Sequence, residues 1–403
     1  MKVTTLHDIE LAQTRIQSDV FNTPLRESDS FSQLAGSQIY VKFENMQRTG
    51  SFKIRGALNK IRSLPNAERV RGVVASSAGN HAQGVAFGAH LVGTHAHIVM
   101  PEAAPLVKIE GAKKYGAEVI LHGSYYDEAY LHAQDLAQEK GYVFVHPFED
   151  PEVIAGQGTI ALEILHEIPD IDTIVVPMGG GGLISGVAVA IKARRPQCQI
   201  FGVQSAAAPG LAQSFINRRI VEVPHAGPTI ADGLAVKKPS AYIFDHYIHP
   251  YLDGVATVSD EEIAESIVHL LERTKTLCEG AGAVALAAVL HQRMPLGKKT
   301  CVVISGGNID LNLISRVVES GLVRAGRIAR VSVIIGDIPG NLSRLTQVIA
   351  ASRGNILEVH HDRVSRGLYL RETRVDFVVE TVSEDHARQI RAALTSCGAR
   401  LID

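Results

Sequence analysis

TIVVPMGGGGLISGVAVAIKA, residues 173–193, places four consecutive glycines between a strand and a helix. The β-branched run at 173–176 predicts a buried strand, and the spacing of apolar residues at 183–193 predicts a helix. Glycines lack Cβ, so successive backbone amides can turn towards a ligand, and the helix N-terminus behind them adds positive potential. The loop also follows the carboxyl end of a strand, where open α/β sheets bind ligands. We therefore favour a phosphate-binding loop over a plain tight turn, and its residues are Gly179, Gly180, Gly181, Gly182 and Leu183.

The loop matches neither of the two common nucleotide-binding patterns. It lacks the GxGxxG spacing with a following acidic residue, and it lacks the lysine of a Walker loop. The pattern therefore argues against a dinucleotide or a nucleoside triphosphate as the ligand.

Short β-branched runs alternate with longer amphipathic stretches from about residue 70 onward. This alternation is typical of repeated βαβ units around a mostly parallel sheet, so we predict an α/β fold. The predicted strands are 73–75, 96–100, 118–121, 143–145, 173–176 and 301–304. The predicted helices are 81–91, 106–115, 126–139, 159–166 and 183–193.

The chain turns basic at 324–330 and then follows a second pattern, βαββαβ, which is the order of the ferredoxin-like motif. We therefore predict a first domain at 1–323, a linker at 324–330 and a small domain at 331–403. In this small domain the predicted strands are 331–335, 356–363, 373–379 and 400–402, and the predicted helices are 342–351 and 383–394.

Composition excludes several classes of protein. The 403 residues are 46% hydrophobic and 20% charged, and 40 basic against 42 acidic side chains give a net charge of −2, so we expect neither a nucleic-acid nor a membrane partner. The four cysteines form no CxxC pair, which argues against a disulfide framework or a zinc site. No signal-peptide pattern and no long apolar run occur, so we predict a cytoplasmic protein.

SFKIRGA, residues 51–57, places Lys53 at the start of a predicted helix. The positive end of the helix dipole and the apolar neighbours disfavour the ammonium form and lower the pKa of this lysine. A lysine so placed can act as an amine nucleophile towards an aldehyde. Taken alone, a lysine is far more often a solvated surface residue than a catalytic one, and it is the other motifs that favour the catalytic interpretation.

SSAGNH, residues 76–81, also follows a predicted strand and opens a predicted helix. Its exposed amides could bind a carboxylate, and Asn80 could form a hydrogen bond with a ring hydroxyl. The alternative is a plain cap for the helix that begins at His81.

An activated lysine, a phosphate loop and an anion-binding turn on one α/β sheet together describe a pyridoxal-phosphate site. Over residues 5–320 the sequence resembles the fold-type II pyridoxal-phosphate enzymes, in the branch of threonine dehydratases and serine racemases. The resemblance implies a catalytic region like that of the tryptophan synthase β-subunit, with two open-sheet αβα subdomains, the smaller at roughly 50–150. Its motifs are SFKIRGA at 51–57, SAGNHAQG at 77–84, HPFEDP at 146–151, AGQGT at 155–159, GGGGL at 179–183 and SGGN at 305–308.

The resemblance implies a role for each candidate site residue. Lys53 would bond the aldehyde carbon of pyridoxal 5'-phosphate and later move the Cα proton, and Phe52 would pack near the ring. Asn80 would bind the 3' oxygen, the glycine loop would hold the phosphate, and Ser305 would face the pyridine nitrogen. The substrate carboxylate would bind the turn formed by Ser77, Ala78, Gly79, Asn80 and His81.

The implied reaction is β-elimination of L-threonine to 2-oxobutanoate and ammonia, with L-serine to pyruvate as a side activity. A serine dehydratase, a serine racemase and a β-replacement synthase are alternatives within the fold. Racemases of this branch carry a second serine where this chain has Ala78, and racemisation needs a proton donor on each face of Cα, so we favour dehydration. They also bind a divalent cation through an acidic residue where this chain has Gln204, so we predict no metal site.

The tail at 331–403 resembles an ACT domain, a regulatory module that binds amino acids. Its signature is GDIPGNL at 336–342, a strand-to-helix turn whose amides could meet a ligand carboxylate. The resemblance implies feedback control by a branched-chain amino acid such as isoleucine or valine, and a homodimer or homotetramer. A purely structural dimerisation domain is the alternative for the tail. For the whole chain, the alternative is a non-catalytic amino-acid sensor.

Overall fold

The computed structural model describes residues 1–223, 227–364 and 368–402. The chain divides into two units, Met1–Asp310 and Leu311–Asp403, which we call the first and the second unit. Within the described residues, no helix is both long enough and apolar enough to cross a membrane.

The secondary structure of the first unit alternates between strands and helices, as predicted. The strands are β1 (Leu25–Glu27), β2 (Gln38–Phe43), β3 (Val73–Ser76), β4 (Ala96–Met100), β5 (Glu118–Leu121), β6 (Val143–Phe144), β7 (Thr173–Pro177), β8 (Gln199–Ser205), β9 (Gly254–Val258) and β10 (Lys299–Ile304). The α-helices are α1 (Leu6–Ile16), α2 (Asp29–Ala35), α3 (Lys53–Ser63), α4 (Asn66–Arg69), α5 (Asn80–Val92), α6 (Leu106–Lys113), α7 (Tyr126–Lys140), α8 (Pro151–Glu167), α9 (Gly182–Arg194), α10 (Gly210–Asn217), α11 (Ala241–Ile243), α12 (His249–Tyr251), α13 (Asp260–His269) and α14 (Gly280–Leu290). Short 3-10 turns lie at Glu44–Met46 and Asp232–Leu234, and π-helical turns lie at Phe244–Ile248 and Leu270–Thr274.

Six strands form the larger sheet, in the order β1-β2-β10-β7-β8-β9. β1 runs antiparallel to β2, and every other pair is parallel. The main apolar core lies between this sheet and its helices, with Ile9 of α1, Ile160 of α8, Ile184 of α9 and Ile174 of β7 all buried in it. The glycine loop connects β7 to α9, so it lies at the carboxyl edge of this sheet.

Four parallel strands form the smaller sheet, in the order β5-β4-β3-β6. Val73, Ile98 and Met100 are buried on it together with Ala57 of α3 and Ala82 of α5. The first unit therefore contains two open sheets covered by helices, and the predicted α/β fold class is confirmed.

The second unit is a four-stranded antiparallel sheet with helices. Its order along the chain from β11 is βαββαβ and its spatial order is β12-β13-β11-β14, so the predicted ferredoxin-like arrangement is confirmed. The strands are β11 (Ile328–Gly336), β12 (Asn355–Asp362), β13 (Glu372–Glu380) and β14 (Arg400–Ile402), and the helices are α15 (Leu311–Arg324), α16 (Asn341–Ala351) and α17 (Glu384–Ser396).

Of the segment predicted as a linker, 324–330, residues 325–327 form a short turn between a helix and a strand. Arg324 ends α15, which groups with the second unit, and β11 begins at Ile328. The last basic residue of the segment is explained by the alternation of β11: Ala329 and Val331 are buried in the core of the second unit, whereas Arg330 between them is exposed and pairs with Glu319 at 2.8 Å.

Helix α8 begins eight residues before its predicted start at 159, at Pro151. Asp150 precedes it and accepts hydrogen bonds from the amides of Glu152 and Val153, which is the usual N-terminal cap, followed by proline at the first position. Every residue from Val153 to Ala161 is buried, so this part of the helix has no polar face. Helical periodicity therefore could not reveal it.

Candidate active site

Lys53 is the first residue of α3, as predicted. The preceding residues are held by backbone contacts with the loop after β10: Ser51 pairs with Gly306, and the Phe52 amide donates to the Ser305 carbonyl at 3.1 Å. On the other side Gly84 of α5 lies so close that an added Cβ would be 3.1 Å from the Lys53 carbonyl carbon. The backbone of Lys53 is therefore fixed between both sheets.

The Lys53 amine points into the protein. Its Nζ donates to the Pro147 carbonyl at 2.9 Å and lies 5.1 Å from the centre of the Phe52 ring. Burial lowers the pKa of Lys53 to about 8, while the carboxylate of Glu279 opposes that shift. The neutral form that a nucleophile or proton acceptor requires is thus far more populated near pH 7 than for an ordinary lysine, with the ammonium form still in the majority.

The glycine loop lies beside the segment that Lys53 contacts. An added Cβ on Gly180 would be 2.2 Å from Cδ1 of Phe148, and one on Gly182 would be 2.8 Å from its Cα. Gly181 has φ +94°, a conformation that residues with a side chain rarely adopt. Because Phe148 follows Pro147, one short segment contacts both the lysine amine and the loop.

The backbone amides of this loop are available to a ligand. In the part of the chain that the structure describes, no backbone or side-chain acceptor takes a hydrogen bond from the amides at 179–183. Helix α9 begins at Gly182 without a side-chain cap. Free amides at the start of a thirteen-residue helix form an anion-binding site.

The SSAGNH segment connects β3 to α5, and α5 begins at Asn80 rather than His81. The Ser77 hydroxyl accepts from the Gly79 amide at 3.1 Å, whereas the amides of Ala78, Asn80 and His81 have no acceptor among the described residues. The predicted anion-binding turn therefore has free donors at the start of a helix.

His81 is buried beneath this turn. Its Nε2 lies 2.8 Å from the Val145 carbonyl and so carries the proton, and its Nδ1 has no partner within the described residues. Burial, together with the nearby Lys53, lowers the pKa of His81 to about 3. The imidazole is therefore neutral and adds no positive charge to the turn at 77–81.

Asn80 also contacts the larger sheet. Its side-chain amide nitrogen donates to Glu279 Oε1 at 2.5 Å, and its oxygen accepts from the amide of Asn308 at 2.7 Å. Ser305, buried at the end of β10, places its hydroxyl 3.5 Å from the Ala281 carbonyl. These contacts bring the SSAGNH and SGGN motifs and the start of α14 together.

The sequence analysis assigned no role to three neighbours of this site: the Pro147 carbonyl, Phe148 and Asn308. The first two lie in HPFEDP and the last in SGGN, so those two motifs were the available signal. Glu279 precedes GAG at 280–282; the family resemblance implies a position near the active site, and its spacing alone fits a helix-start residue equally well. Its contact with Asn80 depends on how the two sheets pack, which local sequence does not specify.

The histidines do not form a metal cluster in the described residues, where no group of three or more His, Cys, Asp or Glu side chains could hold an ion. His97 stacks on Tyr142, with ring centres 4.2 Å apart, and its Nδ1 lies 3.1 Å from Glu118. Gln204 accepts a hydrogen bond from the Ala212 amide at 2.7 Å.

The sequence comparisons and the structure comparison both find related proteins that match most of this chain. The model of the pyridoxal-phosphate dependent enzyme family matches residues 16–307. The L-threonine ammonia-lyase of Thermotoga maritima is 48% identical over 394 residues, which cover 98% of each sequence. The catabolic L-threonine dehydratase of Escherichia coli K12 is 43% identical over 315 residues, 77% of this chain and 95% of that protein. Maize serine racemase has a TM-score of 0.75 and 36% identity, covering 80% of this chain and 99% of that chain.

Proposed function

The chain belongs to the pyridoxal-phosphate dependent enzyme family, and from that premise we propose that it is an L-threonine ammonia-lyase. In the proposed reaction the Cα proton and the β-hydroxyl of L-threonine leave as water, and a second water then hydrolyses the unsaturated product to 2-oxobutanoate and ammonia. The observation that carries the choice of substrate is the 48% identity to an L-threonine ammonia-lyase along 98% of both chains.

The site fits pyridoxal phosphate in three respects. A partly neutral primary amine, Lys53, faces inwards, and free amides at 179–183 match a phosphate. A neutral hydroxyl, Ser305, lies buried near the start of α3. When bound, the cofactor withdraws electrons from Cα of an amino acid and so makes its proton removable.

We assign the residues around the cofactor as follows. Lys53 would bind the aldehyde carbon, Phe52 would pack near the ring, and Asn80 would donate to the 3' oxygen. The amides of Gly179, Gly180, Gly181, Gly182 and Leu183 hold the phosphate. Ser305 would face the ring nitrogen. Because a hydroxyl is neutral, it would stabilise a charged ring less than a carboxylate would, which would favour rapid loss of a β-leaving group.

We assign substrate binding to the turn at 77–81. The free amides of Ala78, Asn80 and His81 bind the substrate carboxylate, with Ser77 and Gly79 fixing the turn through their mutual hydrogen bond. The Lys53 amine, in its neutral form, would accept the Cα proton of the substrate.

The assay that tests this proposal measures both products from both hydroxy amino acids. We expect L-threonine to yield 2-oxobutanoate and ammonia in equal amounts, and L-serine to yield pyruvate more slowly. Serine racemase is the second candidate, because the maize enzyme shares the fold of the first unit at 36% identity. Formation of D-serine from L-serine without 2-oxobutanoate from L-threonine would favour that candidate and contradict our proposal.

We further propose that the second unit is an ACT domain and that it regulates the activity of the first unit. The E. coli dehydratase matches 77% of this chain with 95% of its own length, so the match leaves a segment the size of the second unit unpaired. The GDIPGNL turn leads into α16, which begins at Asn341 without a side-chain cap. The amides of Gly340 and Leu342 have no acceptor among the described residues and could meet an amino-acid carboxylate. We also propose that the effector is a branched-chain amino acid, that the chain forms a homodimer or homotetramer, and that its location is cytoplasmic.

Removing the strands and helices after residue 326 tests the regulatory role. We expect the shortened chain, residues 1–326, to keep L-threonine turnover and lose any response to isoleucine or valine, because the proposed binding loop is absent. Initial rates of 2-oxobutanoate formation, measured with and without each amino acid in both chains, provide the comparison. An unchanged response in the shortened chain would place the effector site in the first unit.

A further inference from the structure

Asn80 has a side chain whose two ends are held by groups outside its own helix. Its nitrogen donates to Glu279 Oε1 at 2.5 Å, and its oxygen accepts from Asn308 at 2.7 Å. Asn308 is fixed in turn, because the same amide nitrogen donates to the Thr49 carbonyl at 2.8 Å. Since a carboxylate only accepts, this arrangement also determines which end of the Asn80 amide faces Glu279.

Glu279 is built into the other side of the site. It precedes α14, its amide donates to the Gly306 carbonyl at 3.2 Å, and an added Cβ on Gly306 would be 2.1 Å from Glu279 Oε1. The carboxyl therefore lies against the backbone that follows Ser305, while Asn80 begins the helix over the smaller sheet. The Asn80–Glu279 hydrogen bond thus joins the two sheets at the proposed substrate turn.

We propose that Glu279 is a positioning residue which, in its ionised form, holds Asn80 and the turn 77–81 in place beside Lys53. This inference rests on the proposed function, in which that turn binds the substrate carboxylate. Glu279 acts through Asn80, since a hydrogen bond to a charged acceptor is shorter and about twice as strong as one between neutral groups.

The charged surroundings make this contact sensitive to pH. Burial raises the pKa of Glu279 to about 7, the Asn80 hydrogen bond opposes that shift, Asp232 adds to it, and Lys108 and Lys53 oppose it. Asp232 and Lys108 pair with each other at 2.8 Å, and the buried Cys278 thiol beside Glu279 has a pKa raised well above its usual value. As pH falls through about 7, Glu279 becomes neutral and its bond to Asn80 weakens.

Glu279→Gln, Asn80→Ala and the double variant test the proposal, with Glu139→Gln on the exposed end of α7 as the matched control. We expect Glu279→Gln to raise KM for L-threonine about tenfold at a pH of about 8, with a smaller change in kcat, because one charge-assisted hydrogen bond is lost. Its KM should also vary less between pH of about 6 and 8 than that of the unaltered chain.

The double variant separates positioning from an independent effect. If Glu279 acts through Asn80, the double variant has the same KM as Asn80→Ala alone; if the two changes multiply, the proposal is wrong. A KM profile of Glu279→Gln that follows pH as steeply as that of the unaltered chain also overturns it.

A readout without substrate keeps this test independent of the proposed reaction. Binding of pyridoxal phosphate to the cofactor-free chain, followed by its absorbance, should weaken in Asn80→Ala and in Glu279→Gln, and no further in the double variant. If no chain releases 2-oxobutanoate but this binding pattern holds, the proposed substrate is wrong and the positioning role stands. If binding is equal in all variants, the positioning role is wrong. Glu139→Gln should match the unaltered chain in every measurement.

Discussion

Lys53→Ala is expected to reduce 2-oxobutanoate formation from L-threonine by at least about 10³-fold, because the variant lacks the group that accepts the Cα proton. Alanine keeps the backbone of α3, whose first residue it would become, and α3 is held independently by the contacts of Phe52 and Gly84. The loss should therefore appear in kcat, with the fold intact by circular dichroism. Steady-state rates at saturating L-threonine provide the measurement.

A covalent readout accompanies the rate. Borohydride treatment of the loaded chain should add the cofactor's mass to the peptide containing Lys53, and no such mass should appear in Lys53→Ala. Lys140→Ala, at the exposed end of α7, is the control and should keep both turnover and the modified peptide. Turnover in Lys53→Ala at the rate of the unaltered chain would refute the assignment of this residue.

The features that could be predicted from sequence are those that depend on near neighbours. The helix beginning at Lys53 and the strand, four glycines and helix of residues 173–193 each show their own spacing, and the structure confirms both. The order of the second unit could be predicted for the same reason, since its strands alternate and its helices are amphipathic. Periodicity is a local signal, and each of these elements contains the whole pattern within its own residues.

The features that could not be predicted depend on distant pairing or on complete burial. β2 lies between β1 and β10, and its neighbour β10 comes from the far end of the first unit. No local pattern in 38–43 indicates that partner. The start of α8 was missed because its buried residues have no polar face, and the Asn80–Glu279 contact was missed because it joins two sheets.

The sequence analysis also missed a group of buried charged side chains around Arg55, two residues after Lys53. Arg55 on α3 has a fully buried side chain that forms paired hydrogen bonds with Glu44, at 2.8 and 2.9 Å, and with Glu163, at 2.6 and 2.9 Å. Lys42 of β2 contacts Glu163 at 2.6 Å. Two positive and two negative side chains are thus enclosed together, and they join α3 to β2 and α8.

The positive charge of Arg55 is maintained by its two carboxylate partners. Burial opposes the charge on Arg55, but Glu44 and Glu163 outweigh that effect and hold the pKa of the guanidinium above its usual range. The Thr23 hydroxyl donates to Glu44 at 2.5 Å and the Thr159 hydroxyl accepts from Arg55 at 3.2 Å, so the remaining polar atoms have partners. A buried group of this kind is most sensitive to loss of one member, because that leaves a charge without its counterion.

Arg55→Met is therefore expected to lower the free energy of unfolding by about 3–5 kcal/mol, since Glu44 and Glu163 remain buried with Lys42 as the neighbouring cation. Urea unfolding monitored by circular dichroism measures the change. Arg62→Met is the matched control on the same helix: Arg62 pairs with Asp19 at 2.6 Å, but both side chains are partly exposed, so its loss should be below about 1 kcal/mol.

A compensated variant distinguishes lost charge balance from lost packing. Adding Glu44→Gln to Arg55→Met removes one uncompensated carboxylate, so the double variant should be more stable than Arg55→Met alone. Equal destabilisation by Arg55→Met and Arg62→Met would show that the enclosed charges do not stabilise α3. If instead the double variant is less stable than Arg55→Met, the loss arises from packing around the two side chains, and the position of Lys53 depends on shape rather than on these ion pairs.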